Sequence, residues 1–147
     1  MLTAPAHAAS LQLIRTVAAS AGARVGLSFD DIEDLRIAVT EAGSELIDRK
    51  PRFPGRTVTL RIAEASDGLR VVLTLDEDPA AGDGTRAGGT APVMTNEVGP
   101  LGDAAERSPE DSLAWQVLLA LVDDLRFVFE GGVGLAFSKH RQDGYGT

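Results

Sequence analysis

Apolar residues recur three and four apart at Ile32, Leu35, Val39, Ala42 and Leu46, forming one stripe that predicts a helix over 28–48. Ser28 is a natural N-cap, with Asp31 three residues on to close a capping box, and Leu27 before the cap can pack on Ile32 as a hydrophobic staple. Beside the stripe, Asp34, Glu41 and Glu45 stand at i, i+7 and i+11. Like charges one turn apart cost an isolated helix roughly 0.2–0.5 kcal/mol, so the ordinary reading of these three is a solvated acidic face. An earlier helix is predicted over 8–21, with Leu11, Ile14 and Ala18 on one face and Arg15 beside it; Gly22 and Gly26 punctuate the turn that follows.

The period then changes from helical to alternating. Val58, Leu60 and Ile62 alternate with Thr57, Thr59 and Arg61, and 69–75 alternates in the same way, so both segments read as strands. Asp67-Gly68 between them is a type I′ hairpin signal, which predicts Ile62 beside Leu73 and Leu60 beside Leu75. Residues 1–5 read as a short edge strand or a frayed start. The segment 77–110 holds six of the 16 glycines, four of the seven prolines and no aromatic side chain. Such a composition buries too little apolar area to offset chain entropy, and a long flexible lid-like loop is expected. A helix start is predicted at Ser108-Pro109-Glu110-Asp111, opening a helix through Leu125 that is apolar nearly all round and is expected to be the most buried element. Within it, Trp115 reads as core. Segments 126–130 and 133–139, split by Gly131-Gly132, read as a closing hairpin. Strands in antiparallel hairpins with helices to cover one face give an α+β fold, a two-layer α/β sandwich.

Composition narrows the chemistry. The 147 residues suit one domain over 1–147, and with no cysteine there is neither a disulfide framework nor a thiolate metal site. His7 and His140 lie at opposite ends and give a zinc cluster or a catalytic triad little to build on. A formal charge of −8 argues against a general nucleic-acid or anionic-membrane surface. No apolar run reaches bilayer length and the N-terminus lacks a signal-peptide pattern, so a cytoplasmic location is expected.

The wording of the second helix adds a resemblance. D-D-I-E-D-L-R-I-A-V-T-E-A resembles the helix that bears the ATP-site N box in RsbW-like anti-sigma factors, serine-kinase-like proteins of the GHKL ATPase superfamily. L-Q-L-I-R-T-V-A resembles that family's opening helix, V-D-D-L at 122–125 is similar to its M-D-D/E-V, and G-V-G-L-A-F-S-K-H is similar to its terminal strand. Four stretches in order, over about 11–141, imply the GHKL (Bergerat) fold with a mixed, mostly antiparallel sheet and helices on one face.

The same resemblance assigns roles. It makes Glu41 the general base and places Glu45 where the family has its Mg²⁺-ligating Asn, with Asp48 at the His position. Asp76 matches the Asp that accepts from the adenine amino group, while Asp78 and Ala80 stand where the following glycines belong. The second glycine box falls on Ser112-Leu113-Ala114, so Ser112 and Ala114 replace its glycines, and Glu110 and Asp111 just before it would repel a triphosphate. Glu45 is an oxygen donor but longer and more charged than Asn, which disturbs a Mg²⁺ site. The expectation is that no cofactor is required and that ATP and Mg²⁺ bind poorly.

What the resemblance implies functionally is an anti-sigma factor that sequesters an alternative sigma factor and is released by a STAS-type anti-anti-sigma antagonist. It also implies a homodimer and partner contact through Arg15, while the departures from its boxes at Glu45, Asp78, Ala80, Ser112 and Ala114 lead to the expectation of no effective kinase activity. The alternative is an active serine/threonine kinase that phosphorylates the antagonist, with Glu41 activating the serine hydroxyl. A third reading reuses the fold for an unrelated partner.

Overall fold

The computed structural model describes residues 1–48, 56–76, 112–129 and 133–142. In chain order these form β1 (Leu2–Pro5), α1 (Ala8–Arg24), α2 (Phe29–Asp48), β2 (Thr57–Ala65), β3 (Gly68–Asp76), α3 (Leu113–Leu121), β4 (Asp123–Val128) and β5 (Val133–His140). The five strands make one sheet in the order β1-β2-β3-β5-β4, and every neighbouring pair is antiparallel. The expected α+β class is thus what the chain adopts, with a sheet that is antiparallel throughout the described residues rather than mixed. The segments 77–110 and 108–111, on which a lid-like loop and a helix cap were expected, lie outside the described residues or largely so.

Period-2 alternation sets the inner sheet face. Leu60 pairs with Leu73 and Leu73 with Leu135, while Val71 pairs with Phe137, and all five are fully buried. Ile14 and Ala18 of α1, with Leu35, Val39, Ala42 and Leu46 of α2, close the core from the helix side. Full burial of a leucine-sized side chain contributes roughly 1.5–3 kcal/mol, so this shared layer is the main fastening between sheet and helices.

The turn between the first two helices follows from one glycine. Gly26 has φ +79°, and around it the Leu27 N–H donates to Gly22 O and the Gly26 N–H to Ala23 O, a Schellman ending for α1. Only a residue without Cβ takes that conformation at no steric cost. Leu27, Ile32 and Leu35 converge on Gly22, which places the predicted staple against α1.

Three expectations are corrected. The β2–β3 hairpin turns at Ser66-Asp67, so Ile62 faces Val71, Leu60 faces Leu73 and Val58 faces Leu75, two residues from the predicted register. Gly68 is drawn into β3 because it packs directly on the Lys139 carbonyl, and Arg141 N–H donates to Asp67 O at 2.7 Å. A slip of two residues keeps the same side chains inward, which is why the alternation alone did not reveal it.

The last helix is shorter than predicted. It begins after the N-cap Ser112, whose hydroxyl accepts from Trp115 N–H, and stops at Leu121; Val122 is already extended and 123–128 is a strand. Nor is α3 the most buried element. Leu118 is its one buried residue, whereas Leu113 and Leu119 are exposed. Nine residues on one flank of α2 offer the core little more than a single inward position. Trp115 is half-buried and stacks on Phe127 of β4, centroids 4.8 Å apart and nearly parallel, so it joins helix to sheet.

Candidate functional site

The candidate site is built on α2, and the capping box sets where that helix begins. Asp31 N–H donates to Ser28 Oγ at 3.1 Å, and the Ser28 hydroxyl donates to Asp31 Oδ2 at 2.6 Å. Asp31 is almost fully buried, which is unusual for a carboxylate and requires a partner. Lys139, at the end of β5, supplies it. Its Nζ lies 3.4 Å from Asp31 Oδ1 and 2.9 Å from Asp34 Oδ2, and donates to Leu121 O at 2.9 Å. One buried ammonium therefore ties the start of α2, the end of α3 and the last strand together.

Burial by itself would raise the Asp31 pKa. The Ser28 hydroxyl and the Lys139 charge outweigh it, and the net shift is downward. Asp31 is consequently charged wherever ordinary carboxylates are charged.

Sequence reasoning missed this node. Lys139 was noted only as part of a strand motif, and Asp34 as one of three solvated acids. The signal was available in the alternation of β5: Leu135 and Phe137 face inward, so position 139 does too, and a cation there demands a buried anion.

Glu41 and Glu45 continue the line that Asp34 starts along α2. Both are half-buried, and Ala38 between them and Asp34 is fully buried. The stripe is thus partly sunk rather than wholly solvated. Ser112 and Ala114 stand at the start of α3, both half-buried, with the Ser112 side chain committed to its own helix. Asp48 is exposed at the end of α2, and Asp78 lies outside the described residues.

Asp76 is placed elsewhere. Leu75 points to the helices, so Asp76 points to the opposite sheet face, where its Oδ2 accepts from Thr59 Oγ1 at 2.6 Å; Thr59 Oγ1 is also 3.1 Å from Thr3 Oγ1. The structure brings Glu41 and Glu45 together on one helix and leaves Asp76 across the sheet from them. Among the described residues no three His, Cys, Asp or Glu side chains converge to hold a metal ion. Arg15 is half-buried on α1; its Nη2 donates to Gln12 Oε1 at 2.7 Å, while its Nε is buried without a hydrogen-bond partner. Among the described residues no helix is long and apolar enough to cross a membrane.

Residues 4–140 match the model of the histidine kinase-like ATPase domain family. The chain is 26% identical over 140 residues to the serine-protein kinase RsbW of Bacillus cereus strain G9842, covering 94% of this chain and 82% of that protein. The RsbW proteins of B. cereus strain B4264 and Bacillus mycoides strain KBAB4 are similar at 26% and 24% identity over the same shares. The match runs from the first strand to the last, taking in α2 and the Lys139 node. This chain belongs to the histidine kinase-like ATPase domain family.

Proposed function

We propose that this protein is a cytoplasmic anti-sigma factor that holds an alternative sigma factor inactive and releases it to a STAS-type antagonist, acting as a homodimer and without effective kinase activity. The observation that carries the reading is a split within the site. The α2 scaffold is capped, buried and fastened by Lys139. The groups that would engage a nucleotide are altered: Glu45 is a carboxylate where the family ligates with an amide, and Asp76 is turned away from α2 and bonded to Thr59. A carboxylate at position 45 adds charge where an octahedral Mg²⁺ site is tuned for a neutral donor. The residues present do not fit ATP–Mg²⁺ as a set.

Partner binding needs none of those groups. Arg15 supports it, because its half-exposed guanidinium, braced by Gln12, still has N–H donors to offer a partner's acceptor. The second reading is an active serine kinase, favoured by the name of the RsbW relatives and by the retention of Glu41. In that case Glu41 takes the proton from the attacking serine hydroxyl of the protein substrate.

Calorimetric titration with Mg-ATP separates the two. The wild-type chain should bind no more tightly than about 1 mM, and Glu45→Asn should strengthen binding. A micromolar dissociation constant, with phosphoryl transfer to a STAS-type protein that Glu41→Gln abolishes, would install the kinase reading instead.

A further inference from the structure

The sheet face turned away from the helices carries an unusual charge distribution. Arg61 of β2, Arg70 of β3 and Arg126 of β4 are all exposed. Cross-strand register puts them on that one face: Arg61 pairs with Val72, Val72 with Ala136 and Ala136 with Arg126, while Arg70 pairs with Ser138 in the adjacent row. None of the three has a hydrogen bond or ion pair among the described residues, unlike Arg24, Arg36 and Arg141, which engage Glu64, Glu33 and Ser66 O.

Among the described residues, the carboxylates on the same face form no ion pair with these arginines. Asp76 is bonded to the Thr59 hydroxyl, and Asp123 accepts from His140 N–H at 3.2 Å. Between the arginines lie small or short side chains, Val72, Ala136 and Ser138. The result is a sheet face with three exposed arginines that are unpaired among the described residues, on a chain whose formal charge is −8.

We propose that this face docks an acidic segment of a partner protein. Diagonal neighbours on adjacent strands place Arg61 and Arg70 about 7–8 Å apart, and three strand intervals place Arg61 and Arg126 about 14 Å apart. An extended polypeptide repeats its side chains on one face every ~7 Å, so carboxylates at i and i+4 match Arg61 and Arg126, while Arg70, about 12 Å from Arg126 by the same spacings, reaches the one at i+2 from the side. Each guanidinium then has a carboxylate to fork onto. A nucleic acid fits less well, because the face has no aromatic side chain in these rows on which a base could stack. An anionic bilayer also fits less well, since among the described residues in these rows no large apolar side chain projects to enter the interface.

This surface lies across the sheet from Glu41, Glu45 and α1, and the inference is independent of the anti-sigma reading. The test is fluorescence anisotropy of a labelled, end-blocked octaglutamate peptide at about 50 mM salt. The Arg61→Gln/Arg70→Gln/Arg126→Gln triple variant should bind at least about tenfold more weakly than wild type. A control triple, Arg24→Gln/Arg36→Gln/Arg141→Gln, removes the same charge elsewhere and should retain most of the affinity. Equal losses in both triples would reduce the effect to net charge and overturn the proposal. Equal affinity of wild type and the first triple, no peptide binding at all, or preferential binding of an oligothymidylate or of phosphatidylserine vesicles through the same arginines would also overturn it. Unchanged melting temperatures in both triples check that folding is not the cause.

Discussion

Replacing Lys139 with methionine should destabilise the protein by about 3 kcal/mol at neutral pH, the lower end of what removing one partner from a buried ion pair costs. The lower end is appropriate because Asp34 is partly exposed, whereas Asp31 is left almost fully buried with its cation gone. The loss should also depend on pH, with a sign fixed by Asp31. Its folded-state pKa is depressed, so its contribution is full above the ordinary carboxylate range and is lost as pH falls from there through the lower folded-state value. The gap between wild type and Lys139→Met should therefore be widest near pH 7 and shrink in acid, where a protonated Asp31 no longer needs the ammonium. Urea unfolding at several pH values measures it. The triple change Asp31→Asn, Asp34→Asn, Lys139→Met should recover part of the loss at pH 7. A gap below about 1 kcal/mol, or one that is constant down to pH 3, would mean the node fastens little.

Gly134→Ala should cost about as much, roughly 3 kcal/mol, which for a chain of this size lowers the melting temperature by on the order of 10 °C. A Cβ built at Gly134 overlaps the Leu73 carbonyl and comes within 2.8 Å of Thr74 Cγ2 and 2.9 Å of Val128 Cγ2. Those atoms belong to the strands on either side, so the sheet must part to admit it. Gly43→Ala is the contrasting case. There the overlap is with the end of the Leu11 side chain, which can rotate, and the cost should be nearer 1 kcal/mol. Thermal melts of the two variants should rank in that order, and a reversed ranking would contradict the β3–β5–β4 packing.

The parts of the fold that depend on neighbours in sequence were legible. Ser28 and Asp31 cap α2 as their spacing required, and the stripe through Leu35, Val39, Ala42 and Leu46 is the buried one. What depends on neighbours in space was not. The Asp67-Gly68 pair suggested a turn one residue late, because the close approach of Gly68 to the Lys139 carbonyl comes from the far end of the chain. The helix after Ser112 ends at Leu121 because Val122 is extended, Asp124 has φ +52°, and Lys139 takes the last carbonyl, none of which an apolar run reveals.

The candidate site was legible as a family site more than as geometry. Glu41 and Glu45 lie together on α2 as the pattern implied. Asp76 could have been read as facing away, since Leu69, Val71, Leu73 and Leu75 all point inward and alternation then turns residue 76 outward. Its assignment came from resemblance alone, and the hydrogen bond to Thr59 shows where the carboxylate actually goes.

The central proposal is sequestration of a sigma factor without need of a nucleotide. The most direct measurement is binding of the purified chain, with no ATP or Mg²⁺, to each alternative sigma factor of its own organism. One of them should bind with a submicromolar dissociation constant, and Arg15→Ala should weaken that complex by about 1–2 kcal/mol, roughly tenfold, while leaving the melting temperature unchanged. Wild-type affinity in that variant would remove Arg15 from the interface. Failure to bind any sigma factor, by a folded protein, would contradict the proposal itself.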